Sequence, residues 1–204
     1  MGLIIENLRE RNDEGLQKGV LDKLKMESGT LESISKRLLQ LKYEDSNLID
    51  EISAVLEMDF KAWLEEHQPY MSREQIKDLM HRGFSIGSHS KDHPRFNQIS
   101  EEEQKSQYAD SFEFIENQIG IVDRYFSFPF SDEEVKMAFF DWMNEEGNCK
   151  LSFGVSGLKD DYKRNHLHRI PMDECMSNPG RFIKSEFVYF MVKSFFNKNK
   201  IGRQ

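Results

Sequence analysis

The sequence predicts an α/β fold, with a helical layer over residues 1–70 followed over 71–204 by βα units that build a parallel sheet or barrel. Three observations carry this. Apolar residues in the first third recur at helical spacing with no strand-like run. From residue 72 onward helix and strand patterns alternate. Cap and turn residues stand at the junctions between them.

In the helical layer, Leu31, Ile34, Leu38 and Leu41 share one helix face, and Leu48, Ile52 and Val55/Leu56 another. Asp59 is placed to cap a short helix to His67, while Gly15, Gly19 and Gly29 are read as punctuation. Beyond Pro69, Ser72-Arg73-Glu74-Gln75 fits a capping box, with Ile76, Leu79 and Met80 forming a helix face that ends near Gly83. Phe84–Gly87 reads as a short strand. A long helix then runs from the cap Ser100, with Glu103 three residues on, to Gly120. Arg124–Phe130 is an aromatic strand, Val135–Glu146 a helix stopped by Gly147, and Lys150–Val155 a strand. His168–Pro171 is a further strand, and an aromatic-rich helix over about 181–196 closes the chain. In such an order, active residues belong on loops after the C-terminal strand ends.

The chain of 204 residues can bury a sizeable core, and its 16 phenylalanines argue against disorder. A net charge of −8 gives no reason to expect a nucleic-acid partner. No apolar run of about 18 residues occurs, so no membrane span is expected. The start Met1-Gly2-Leu3-Ile4-Ile5-Glu6 lacks a signal pattern and implies the cytoplasm as given, an inference that lapses if further sequence precedes it. Cys149 and Cys175 form no C-x-x-C pair and are read as two free thiols.

The most informative segment is Gly87-Ser88-His89-Ser90-Lys91-Asp92-His93-Pro94, where a strand ends and a helix has not begun. His89 and His93 are four residues apart, so one turn of chain brings both imidazoles to one side. Imidazole suits zinc and similar divalent ions, but a catalytic site normally needs three protein ligands. The bland reading is a pair of surface or capping histidines. Asp92 lies between them and is expected to point away and cap the following turn.

Here the sequence resembles the polysaccharide deacetylases, a family of distorted (β/α) barrels. FSIGSHSKDHP is similar to that family's H-[ST]-x-x-H motif, whose histidines bind zinc. The resemblance makes His89 and His93 metal ligands and gives Ser90 the role of steadying the loop. RYFSFPFSD resembles the R-x-P-[YF] stretch that walls the substrate groove, matched at Pro129 and Phe130. Ser127 stands where the family has arginine, and Arg124 would lie on the wrong strand face. LHRIPMDE occupies the place of the family's closing leucine-x-histidine motif, which makes His168 the candidate catalytic acid, with His166 as the alternative. Both also read as structural histidines.

The resemblance implies a partial (β/α) barrel over 71–204, with 1–70 as a helical insertion. It also exposes a gap. The family's first motif, T-F-D-D-G, supplies a general base and a further metal ligand, yet no Asp-Asp-Gly occurs here. The one Asp-Asp pair, Asp160-Asp161, is followed by Tyr162. By the family's order the motif would precede Met1, which suggests a fragment of a longer enzyme. A degenerate relative is the second explanation, and a third ligand from Asp132, Glu133 or His168 the third.

The leading function is a zinc-dependent (or other divalent metal) hydrolase that removes acetyl groups from an acetylated carbohydrate. The alternative is a non-catalytic carbohydrate-binding or assembly relative, with Phe126, Phe128, Phe130 and Trp142 lining a sugar groove. Core packing is the bland reading of those four. The acidic helices of 1–70 and an unpaired sheet edge leave room for an interaction protein or oligomer.

Overall fold

The computed structural model describes residues 1–172, 175 and 178–203. The tail of the LHRIPMDE string, Asp173 and Glu174, lies outside them. The chain divides into two compact units, Met1–Tyr70 and Met71–Gln204.

The first unit is helical: α1 (Gly2–Arg11), α2 (Glu14–Lys23), α3 (Leu31–Leu38), α4 (Ser46–Val55) and α5 (Phe60–His67). The helical spacing is realised as burial, since Ile34 and Leu38 of α3, Ile52 of α4 and Leu56 just beyond it are fully enclosed with Ile4, Leu8 and Val20. Asp59 caps α5 by accepting the Ala62 amide at 2.9 Å. Gly15 and Gly19 do not punctuate; both lie inside α2. The neighbouring turns and the apolar pattern override their low helix propensity.

The second unit is mixed α/β. Its elements are α6 (Arg73–His81), α7 (Glu101–Ile119), β1 (Arg124–Ser127), α8 (Met137–Glu145), β2 (Cys149–Gly154), β3 (His166–His168) and α9 (Pro179–Phe195). The expected capping box opens α6, with Gln75 N bonded to Ser72 Oγ and Ser72 N to Gln75 Oε1. Ser100 caps α7, and Gly120, at φ +85°, ends it in the left-handed conformation.

The sheet is parallel, in the order β1-β2-β3. Among the described residues it has three strands; this is the mixed α/β class expected, while the partial barrel is not itself formed by them. Phe84–Gly87 does not become a strand. Its continuation at Ser88 makes one parallel bridge to Phe126, through Ser88 N to Tyr125 O at 2.7 Å and Ser127 N to Ser88 O at 2.9 Å. One face of the sheet carries Phe126 and, just past β1, Phe128, packed with Phe96, Tyr108, Phe112, Phe139 and Phe140 into an aromatic core. Tyr108 and Phe112 come from α7, Phe139 and Phe140 from α8, so these helices cover that face. This placement removes Phe126 and Phe128 from any sugar groove, while Trp142 packs against the same core. Strand side chains alternate, so the other face carries Gly87, His89, Tyr125, Ser127, Leu151 and Phe153. Cys149 is a free thiol. Burial pushes the Cys149 pKa up to about 11, which keeps that thiol protonated and inert.

Candidate functional site

The His89–His93 loop leaves the sheet at Ser88 and is held from several sides. Gly87 runs so close to β1 that a Cβ there would sit 2.5 Å from Tyr125 O, so the approach requires glycine. Ser88 Oγ bonds Ser111 of α7 at 2.5 Å. Ser90 Oγ accepts the His93 amide at 3.1 Å, closing the turn. Ser90 and His93 both adopt positive φ, at +69° and +57°. This strain is held by the bonds around it. Asp92, expected to cap the following turn, is tied to α7: its amide donates to Gln107 Oε1 at 2.9 Å and its carboxylate accepts from Gln107 Nε2 at 2.8 Å.

The two imidazoles converge. His89 Nε2 and His93 Nε2 lie 3.0 Å apart. The other nitrogen of His89, Nδ1, is 2.8 Å from the Ser127 carbonyl. A carbonyl only accepts, so Nδ1 carries the proton and Nε2 presents a lone pair. Burial lowers the His89 pKa, opposed by the Ser127 bond and aided by His93, which favours the neutral ligand form. Two nitrogens on one tetrahedral zinc lie about 3.3 Å apart, given Zn–N bonds near 2.0–2.1 Å. The pair therefore fits half of a zinc site, with the backbone partner that orients a ligating histidine. Among the described residues no third His, Cys, Asp or Glu groups with it.

Beside the pair stands Phe130, at φ +54° and 49 % exposed, its ring 4.7 Å from that of His93 and capped by Arg95 at 4.4 Å. Pro129, preceding it, is buried. On the open face a groove of about 500 Å³ is lined by Ser85, Gly87, His89, Tyr125, Leu151 and Phe153, among others.

Asp132 and His168, considered as third ligands, lie in a different, enclosed cluster with Asp161 and His166, whose ligand atoms fall within 4.8 Å of one another. Glu133 is exposed beside it. His166 Nε2 is 3.1 Å from Asp132 and its Nδ1 2.7 Å from Ser152 Oγ. His168 Nε2 is 3.1 Å from Asp161, with the His168 side chain 1 % exposed. This donor set suits a divalent cation chemically, but Arg203 already supplies the positive charge. Its Nη2 lies 2.6 Å from a carboxylate oxygen of both Asp132 and Asp161. Burial alone would raise the pKa of both carboxyls. Hydrogen bonds from the histidines and Arg203 outweigh it and hold both well below the usual carboxylate range. Gly154 is required here as well, since a side chain would collide with Asp132 and His168 Nδ1.

Sequence reasoning missed this network. Asp161 was visible only as half of an Asp-Asp pair in the wrong place, and Arg203 carried no signal, standing 42 residues from Asp161. Arg124 is bound to Glu116 of α7 through two bonds of 2.6 and 2.9 Å and takes no part in either site.

The segment that contains the histidine loop is similar to known proteins. The polysaccharide deacetylase profile matches residues 54–139. A curated Bacillus subtilis (strain 168) protein named "Putative polysaccharide deacetylase YxkH" is 31 % identical over 126 residues, which is 58 % of this chain. The match covers 43 % of that relative's length. No solved structure is significantly similar. Over residues 54–139 the chain is similar to the polysaccharide deacetylase family, and it spans less than half the length of the curated relative it matches.

Proposed function

We propose that this chain carries part of the active site of a metal-dependent carbohydrate deacetylase, in which His89 and His93 hold a divalent ion. The observation that supports this most is the 3.0 Å approach of their Nε2 atoms, with the His89 tautomer set by Ser127 O. A zinc ion held there would supply Lewis acidity toward an acetyl carbonyl and acidify its bound water to a pKa of about 7.

The chain's own residues do the rest. Ser90 fixes the loop that aims both rings. Pro129 and Phe130 form a wall, on whose half-exposed ring a sugar face can stack. His168 is the proton donor of this reading, with Asp161 at 3.1 Å orienting its ring. No carboxylate groups with the histidine pair among the described residues. The pair thus lacks a base and a third ligand, and the isolated chain is expected to turn over poorly. The barrel is likewise part of the proposal, with β1-β2-β3 and the Ser88 segment as four of its strands.

A second reading, a glycan-binding relative without catalysis, draws on Phe130 with Arg95 over its ring and His93 at its edge. Calorimetric zinc titration of chelator-stripped protein, with acetate release from acetylated chito-oligosaccharides, separates the two. The deacetylase reading expects weak uptake of at most one ion per chain, since two ligands are present, and its loss in His89→Ala and in His93→Ala. Zinc uptake unchanged in both variants would overturn it. Glycan binding that survives chelation and His89→Ala, without acetate release, would favour the second reading.

A further inference from the structure

The C-terminal helix α9 turns much of its apolar surface outward. None of its residues is buried. At 3.6 residues per turn, Val188, Met191, Val192 and Phe195 fall within an arc of about 100°. Their exposures run from 51 % to 86 %. Phe187, Tyr189 and Phe196, flanking that arc, are also more than half exposed. The opposite side, with Phe182, Glu186, Phe190 and Lys193, is the half-buried one. An ordinary surface helix puts its apolar stripe inward and its charges outward. A continuous apolar patch left in water marks a binding surface.

Charge indicates what the surface meets. The chain as a whole carries −8, yet over residues 179–200 Arg181, Lys184, Lys193, Lys198 and Lys200 stand against Glu186 alone. Arg181 and Lys184 sit on the outward arc before the apolar cluster, and Lys198 and Lys200 follow it, so cations bracket the patch at both ends. The Lys193 ammonium lies over the Tyr189 ring, 4.0 Å from its centre. Apolar and aromatic side chains bracketed by lysine and arginine match the boundary of a bilayer, where the chains enter the acyl region and the cations meet anionic headgroups. No helix among the described residues is long and apolar enough to cross a membrane, so α9 would lie in the surface plane. We propose that α9 attaches the protein to the surface of an anionic lipid bilayer, independently of any activity at the histidine pair.

Sedimentation of the full chain with vesicles tests this, using phosphatidylcholine mixed with phosphatidylglycerol and phosphatidylcholine alone. The protein should pellet with the anionic vesicles and much less with the neutral ones. Val188→Ser/Val192→Ser/Phe195→Ser should weaken binding by about tenfold or more, and Arg181→Glu/Lys184→Glu should abolish the anionic preference. Far-UV circular dichroism checks that each variant folds; if the serine variant does not, the charge variant decides alone. Absence of pelleting with anionic vesicles, or binding unchanged in the folded variants, would overturn the proposal. So would a dimer seen by light scattering and dissolved by the serine variant without vesicle binding, which would assign the patch to a second copy of the chain.

Discussion

Arg203 and Asp132 meet at 2.6 Å although 71 residues separate them in sequence. The guanidinium, with its side chain 2 % exposed, also binds Asp161 and lies over the Phe140 ring at 4.0 Å. The segment before it is fixed alongside Asp160, through Asp160 N to Asn199 O at 2.8 Å and Ile201 N to Asp160 O at 2.9 Å. The C-terminal segment is therefore an integral part of the second unit.

Arg203→Ala would leave two enclosed carboxylates without their cation. A loss of about 3–5 kcal/mol is expected in urea unfolding of the second unit, with Arg203→Lys recovering part of it. A loss below about 1 kcal/mol would show that water already screens the cluster.

The network sets a pH dependence. Burial depresses the His166 pKa despite its bond to Asp132. The folded state then resists a proton that the unfolded chain accepts near pH 6.5, so stability is full above that pH and falls below it. Asp132 and Asp161 have depressed pKa values too, so their contribution is full above about pH 4 and is lost on further acidification. Urea midpoints measured from pH 8 to 5 should decline below about 6.5, and flat midpoints would contradict the buried neutral His166.

Gly87→Ala should disturb stability and site together. A Cβ would press on Tyr125 O and force Ser88 away from β1. A loss of about 1–3 kcal/mol is expected, with weaker zinc uptake because the loop carrying His89 shifts. Stability and zinc affinity both equal to wild type would refute the close approach.

Phe126→Ala probes the aromatic core. The ring is fully buried between Phe96, Tyr108, Phe112 and Phe128. The cavity should cost about 3–5 kcal/mol by denaturant unfolding. A glycan-binding defect with unchanged stability would instead place this ring in a groove.

Much of the second unit was legible because its signals are local. The Ser72–Gln75 box, the Ser100 cap and the Gly120 stop satisfy backbone groups within one turn, so their residues announce themselves in order. The histidine loop was legible for the same reason: His89, Ser90 and His93 are bonded to one another across four residues. The Phe84–Gly87 strand was not realised because one apolar stretch cannot form a strand without ladder partners, and only Ser88 finds one.

By itself, then, the sequence determined the helical first unit, the α6 and α7 caps, the helix and strand order after residue 100 and the four-residue spacing of His89 and His93, since each depends on neighbours within a few residues. The tertiary structure alone decided which phenylalanines face helices, that His166 and His168 join Asp132 and Asp161, and that Arg203 is their cation. These outcomes depend on contacts up to 71 residues apart, where charge and burial select partners that no local spacing encodes.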